Sequence, residues 1–317
     1  MSEPRSAAEA RRDRENRERL KVVVTGSHGL IGSELTMTLE RAGDEVTRLV
    51  RSQPGPGDAL WDLREATIDA PALEGHDAVV HLAGAGIGDH RWTDAYKREV
   101  YDSRVRATVL LCETLAKLDR PPRVLVSGSA VGLYGDRGDE ELTEASGPGT
   151  GFLADLVTEW EAATEAASDA GIRVVRLRSG VVLSRKGGAL KKQLLPFKLG
   201  AGGKLGSGKQ WLSWIALDDE IAAILHLIRR DTLRGPVNAT APNPVTNAEF
   251  TKALGAALKR PTIATVPRFA LKAIFSGQMA DEMLLAGQRV LPRALEASGF
   301  TFSLPRLNEA LRAMLAT

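Results

Sequence analysis

Leu20-Lys21-Val22-Val23-Val24-Thr25-Gly26-Ser27-His28-Gly29-Leu30-Ile31-Gly32 is the stretch that decides the fold. A short apolar run ends in a glycine turn, and helical periodicity takes over from Leu30 until Gly43 stops it. Glycines at 26, 29 and 32 each have a task in such a turn. One permits the tight bend, one lets backbone N–H groups approach a pyrophosphate, and one lets the helix pack on the strand. The helix N-terminus then faces the phosphates with its partial positive charge. The residues assigned to cofactor here are Gly26, Ser27, His28, Gly29, Leu30, Ile31 and Gly32. An ordinary strand–turn–helix joint is the alternative, and the flanking strand and amphipathic helix weigh against it.

Working outward, apolar runs at 45–50, 77–82, 124–127 and 172–177 read as strands, and 30–42, 96–118 and 151–170 read as helices. Strands apolar on both faces and separated by helices predict an α/β fold, a Rossmann-type doubly wound parallel sheet. After Gly180 the order loosens, with Gly and Lys abundant over 187–208. A smaller C-terminal substrate lobe is expected over 181–317, beside a nucleotide-binding domain over 20–180 that recovers a late strand near 236–240. Residues 1–19 are charged and nearly devoid of large apolar side chains, which predicts a flexible tail.

The second strand chooses the cofactor. An acid at its end would bind a ribose 2′-hydroxyl, but Val46-Thr47-Arg48-Leu49-Val50-Arg51-Ser52 offers Arg51 instead. A guanidinium there suits the 2′-phosphate of NADP(H), although a plain surface charge has the same appearance. Asp62 is a candidate for the adenine amino group.

Lys plus Arg is 42 and Asp plus Glu is 40, a net charge of +2, so no concentrated positive field argues for nucleic acid. The single cysteine, Cys112, excludes an intrachain disulfide and a thiolate metal cluster. No metal is expected. No apolar run reaches the length of a membrane span, and the N-terminus lacks a signal-peptide core, so a cytoplasmic protein without a membrane partner is expected.

Three further segments carry a resemblance. They are Asp77-Ala78-Val79-Val80-His81-Leu82-Ala83-Gly84, Tyr101-Asp102-Ser103-Arg104-Val105-Arg106-Ala107-Thr108 and Ser127-Gly128-Ser129-Ala130-Val131-Gly132-Leu133-Tyr134-Gly135. With the glycine loop they resemble the extended short-chain dehydrogenase/reductases, the NAD(P)-dependent epimerases and dehydratases. Arg91-Trp92-Thr93, Trp160-Glu161, Gly180-Val181-Val182-Leu183, Gly187-Gly188-Ala189-Leu190, Trp214-Ile215 and Asp218-Asp219 look like an atypical bacterial subgroup, sugar-nucleotide epimerase-like. The resemblance implies a cofactor lying against Leu82, Ala83 and Gly84, and a nicotinamide near Ser129. It also implies a homodimer through the two long helices, by analogy alone.

The family's Tyr-x-x-x-Lys pair is missing. The chain has three tyrosines, Tyr96, Tyr101 and Tyr134, and none precedes a lysine by four residues. Phe152-Leu153-Ala154-Asp155-Leu156 stands where the pair belongs. Ser129 remains to position a reacting oxygen. Tyr134 and Asp155 are candidate replacement acids, each weighed against loop packing or simple helix exposure. His81 reads equally as a site imidazole and as a satisfied structural one. Arg104, Trp211 and Trp214 are candidates for an anionic small-molecule substrate, with the lysine-rich stretch between 186 and 214 as a mobile lid or a solvated loop. The expected function is an NADP(H)-dependent oxidoreductase or epimerase. The alternative is a catalytically weak NADP(H)-binding sensor or interaction protein.

Overall fold

The computed structural model describes residues 19–316, so the expected tail lies, apart from Arg19, outside the described residues. The apolar run is strand β1 (Lys21–Thr25), and helix α1 (Leu30–Arg41) follows the glycine turn. Strands β2 (Glu45–Val50), β3 (Asp58–Asp62) and β4 (Thr67–Ile68) extend the sheet on one side. β5 (Ala78–His81) and β6 (Val124–Ala130) extend it on the other. A short β7 (Glu141–Leu142) precedes β8 (Arg173–Ser179), which pairs with β6. Small strands follow, β9 (Val181–Leu183), β10 (Gly203–Leu205), β11 (Trp211–Leu212) and β12 (Trp214–Ala216). β13 (Gly235–Ala239) then returns to the main sheet beside β8. The eight-stranded order is β13-β8-β6-β5-β1-β2-β3-β4, parallel throughout except for β4. Strand order reverses between β1 and β5, and a crevice for ligand opens outside the carboxyl ends at such a reversal.

Alternation along the strands builds two cores. Val22, Val24, Val80, Val126, Leu177 and Val237 face α1 and helix α7 (Leu217–Arg229). Val23, Val79, Leu125 and Val174 face the opposite layer, whose helix α3 (Ala107–Leu115) inserts Leu111, Cys112 and Leu115. Each fully buried Val or Leu contributes about 1.5–3 kcal/mol, which is why neither face of β1 can be polar along its length. The Cys112 thiol is pushed up to about 12 by burial and is chemically quiet.

The expected helix over 96–118 starts earlier, as α2 (Asp94–Tyr101), because Thr93 Oγ1 accepts the Tyr96 N–H and caps it. A π turn at Asp102–Arg106 joins α2 to α3. The expected helix over 151–170 is split into α4 (Phe152–Ala162) and α5 (Glu165–Asp169). The Thr164 hydroxyl, at the break, donates to the Glu161 carbonyl at 2.7 Å. Within the glycine-rich 187–208 stretch the chain forms a real helix, α6 (Gly188–Lys198), although Pro196 sits inside its last turn.

Helix α8 (Asn247–Leu258) carries a capping box between Thr246 and Glu249. Short pairings then tie the C-terminal segments together. β14 (Val245–Thr246) pairs with β11, β15 (Ala264–Val266) with β10, and β16 (Arg289–Val290) with β7, while helix α9 (Arg268–Phe275) follows β15. The core of this region gathers Leu190, Phe197, Trp214, Phe250, Leu254 and Leu311.

Candidate functional site

The glycine turn is closed on itself. Gly26 has φ +65°, and a Cβ there would stand 2.7 Å from the Leu82 carbonyl carbon and oxygen. A Cβ on Gly32 would stand 2.2 Å from the Gly26 carbonyl oxygen. The first glycine thus lets β1's turn touch the end of β5, and the third lets α1 sit on the turn. α1 has no side-chain cap and no acid in its first turn. Ser27 Oγ, inside the turn, is buried and without a hydrogen-bond partner. Uncapped N–H groups beside an orphaned hydroxyl are the donor set a diphosphate requires, so the residues present fit a dinucleotide. His28, in the same turn, is exposed.

Beneath the turn a chain of hydrogen bonds fixes the two strand ends. Thr25 Oγ1 accepts the N–H groups of Leu82 and Ala83 at 3.0 and 3.1 Å, filling its lone pairs. Its own proton therefore goes to His81 Nδ1, 2.8 Å away. That leaves the imidazole proton on Nε2, which donates to Thr108 Oγ1 at 3.0 Å, and the Trp160 indole N–H donates to the same oxygen. Burial, followed by the charge of Arg104, holds His81 down at about 4. The histidine is a neutral strut under the crevice.

Arg104 stands on the π turn. Its Nη1 donates to the Ala85 carbonyl at 2.9 Å, and its guanidinium lies 5.2 Å from the Trp160 ring centre. A Cβ on Gly84 would meet its Cζ at 3.1 Å. Burial pulls this guanidinium down to about 10, still charged at neutral pH. Arg104 thus braces the Ala83–Ala85 turn from below.

Register places Ser129, Arg178 and Asn238 side by side on β6, β8 and β13. Glu161 reaches them from α4. Ser129 Oγ donates to Glu161 Oε1 at 2.6 Å, and Arg178 binds the same carboxylate through both oxygens at 2.7 and 2.8 Å. Arg178 Nη1 also donates to Tyr134 Oη at 2.9 Å, and Tyr134 donates to Asn238 Oδ1 at 2.7 Å. Burial works against the Arg178 charge, but the bonds and charge of Glu161 overcome it and hold the guanidinium protonated. Burial raises Tyr134 above its ordinary value, and its hydroxyl proton is engaged by Asn238, so as placed it offers no proton to a substrate.

The other expected residues scatter. Arg51 is exposed just beyond β2. Asp62, half-buried, spends Oδ1 on the backbone N–H groups of Arg64 and Glu65. Asp155 is exposed on α4. Trp214 is fully enclosed, its indole donating to the Asn243 carbonyl, and it has no surface left for a ligand. Trp211 donates to Asp139 at 2.7 Å and lies under Arg289. The stretch entering α6 crosses the carboxyl edge of the sheet. Gly187 packs on the Leu30 side chain, Lys186 pairs with Glu34 of α1 at 2.5 Å, and Lys192 reaches the Gly88 carbonyl and Asp89 at 3.0 Å.

A cleft of about 310 Å³, lined by no member of the Ser129–Glu161–Arg178 cluster, lies between Gly132, Asp136 and Leu153 on one wall and Arg268, Asp281 and Glu282 on the other. Glu282 also accepts the N–H groups of Phe152 and Leu153, capping α4 from the C-terminal segment. Sequence reasoning missed Glu161, Arg178 and Glu282 as site residues. The first two had a signal, since polar residues two apart inside buried strands, Ser127 and Ser129 or Arg176 and Arg178, need partners on one covered face.

The sequence profile of the NAD dependent epimerase/dehydratase family matches residues 22–239, and one described only as a domain of unknown function matches residues 266–314. An epimerase family protein of Mycobacterium bovis is 46% identical over 291 residues, covering 92% of this chain and 96% of that one. The crystal structure of human epimerase family protein SDR39U1 (isoform 2) with NADPH superposes with a TM-score of 0.87 at 38% identity, covering 94% of this chain and 100% of that one. A Corynebacterium glutamicum structure described as a nucleoside-diphosphate sugar epimerase gives a TM-score of 0.79 at 41% identity, over 94% of this chain and 58% of that one.

Proposed function

This chain belongs to the NAD dependent epimerase/dehydratase family, and from that premise we propose that it binds NADP(H) over the glycine turn and acts as an oxidoreductase or epimerase on a small polar, anionic substrate. The observation that carries the cofactor is the buried, partnerless Ser27 hydroxyl beside the uncapped start of α1. The human relative crystallised with NADPH supports the same reading. Arg51, at the position where an acid would select NAD, is assigned to the 2′-phosphate, and Leu82, Ala83 and Gly84 to the wall of the crevice. Residues 20–180 with β13 form the nucleotide-binding part and 181–317 the substrate part.

The nicotinamide supplies or accepts a hydride when bound. Ser129 is the residue assigned to the reacting oxygen. Its proton is held by Glu161, so its oxygen is left as an acceptor for a substrate hydroxyl. Arg178 keeps that carboxylate in place through both of its oxygens. The 310 Å³ cleft sets Asp136, Asp281 and Glu282 against Arg268, itself paired with Asp281, so it is not assigned to an anionic substrate.

The test is titration of the purified protein with NADPH and NADH by fluorescence. Arg51→Ala should weaken NADPH more than about tenfold, or roughly 1.5–3 kcal/mol for a charged hydrogen bond, and spare NADH. Equal loss for both nucleotides rejects the assignment. A second reading draws on one observation, that the chain lacks the Tyr-x-x-x-Lys pair while Tyr134 and Ser129 are both engaged internally. In it the protein binds NADP(H) as a sensor without efficient turnover. Decay of NADPH absorbance with candidate carbonyl substrates separates the two.

A further inference from the structure

Five large apolar side chains stand out into solvent on one part of the C-terminal region. They are Leu195 (65% exposed) and Leu199 (74%) on α6, Ile263 (95%) before β15, and Phe269 (77%) and Ile274 (59%) on α9. Elsewhere among the described residues no large apolar side chain exceeds 42%. The five lie on adjoining segments. Arg260 Nε donates to the Lys198 carbonyl at 2.9 Å, which sets the approach to Ile263 beside the end of α6. β15 pairs with β10, the strand that follows α6, and runs only about 10 Å before α9 begins.

The two segments that carry them have charged side chains of one sign, and the acid that reaches them, Asp281, comes from outside both. Between Asp169 and Asp218 the chain has no acidic residue, and between Glu249 and Asp281 it has none. Those two segments supply every one of the five apolar side chains. Lys198, Lys204, Lys259 and Arg260 make no ion pair among the described residues, while Arg268 and Lys272 share Asp281. The whole chain is nearly balanced, at 42 cationic and 40 acidic side chains, so the excess is local.

We infer that this face docks on an anionic lipid surface, with Leu195, Leu199, Ile263 and Phe269 entering the headgroup boundary and the surrounding Lys and Arg lying against lipid phosphates. Basic rims around exposed Phe, Leu and Ile are the chemistry of interfacial attachment. A second copy of this face is a poor occupant, because a two-fold contact would set cations against cations. The apolar side chains protrude instead of lining a groove, which disfavours an acidic helix as the occupant. No helix among the described residues is long and apolar enough to cross a membrane, so the attachment is to one surface only. The expectation of no membrane partner rested on the lack of a span, and it does not address attachment of this kind.

The test is sedimentation of the full chain with vesicles of phosphatidylcholine alone and of an equal phosphatidylcholine–phosphatidylglycerol mixture. Pelleting is expected with the anionic vesicles only, falling at least about tenfold as salt rises from about 0.05 to about 0.5 M. Ile263→Ser with Phe269→Ser should lower partitioning at least about tenfold, and so should Lys198→Glu with Arg260→Glu, both with NADPH titration unchanged. The charge pair is wholly on the surface, so it serves if the apolar pair misfolds. No pelleting with anionic vesicles, or equal pelleting with both kinds, overturns the inference. So does self-association in sedimentation velocity that Ile263→Ser abolishes while vesicles remain unbound.

Discussion

Glu220→Gln should change how stability depends on pH, by an amount the structure sets. Glu220, on α7, is fully buried; its Oε1 accepts the Ser179 hydroxyl at 2.6 Å and its Oε2 has no partner. Burial pushes this carboxyl from 4.5 up to about 7. The folded protein therefore keeps a proton that the unfolded chain has already released. Its stabilising share is complete below about 4.5 and is lost as pH rises through 7. His81 works the other way. Its folded value is lowered from 6.5 to about 4, so its share is complete above 6.5 and is lost as pH falls towards 4. Each group contributes a slope of about 1.4 kcal/mol per pH unit inside its window. Between pH 4.5 and 6.5 the two slopes oppose and cancel in the native protein. Gln keeps an acceptor for Ser179 and removes the titration, leaving His81 alone. The variant's stability relative to the native protein should then fall by about 3 kcal/mol between pH 6.5 and 4.5. Urea unfolding at half-unit pH steps reads this directly. Two stability curves that stay parallel to within about 0.5 kcal/mol across that range would refute the reasoning.

Other outcomes follow from the same geometry. Gly32→Ala drives a Cβ to 2.2 Å from the Gly26 carbonyl, and calorimetry should show NADPH affinity down by more than about tenfold; native affinity would reject the turn as the diphosphate site. Glu161→Gln leaves Arg178 buried and half-paired, so it should cost about 3–5 kcal/mol, and adding Arg178→Met should recover part of that; a loss below about 1 kcal/mol would mean the pair is not buried in solution. Ser129→Ala should lower turnover of any active substrate while NADPH affinity stays put, and unchanged turnover removes the serine from the chemistry.

The nucleotide half of the fold could be read from residues because its signals are local. A glycine spacing, an apolar run and a helical period each sit within a few positions of one another, and β1, β2 and α1 fall where those signals place them. α6 was hidden because Gly187, Gly188 and Pro196 are helix breakers in isolation, and packing of Leu190 and Phe197 into a core overrides them. The Ser129–Glu161–Arg178 cluster was hidden for another reason. Its members come from three elements, and only strand register and the seating of α4 bring them within hydrogen-bond reach. Tyr134 and Trp214, prominent as rare aromatic residues, turn out to be among the most deeply buried side chains of the chain.

The Lys186–Glu34 and Lys192–Asp89 pairs, with Gly187 resting on Leu30, fasten a bar across the mouth of the crevice. Each exposed pair holds only weakly, about 1 kcal/mol or less, so the bar would slow, without blocking, a nucleotide that left beneath it. Slow exchange suits chemistry in which one nucleotide is reduced and reoxidised in place over many cycles. Net reduction, where spent coenzyme departs after every turnover, would meet that small added resistance once in each cycle.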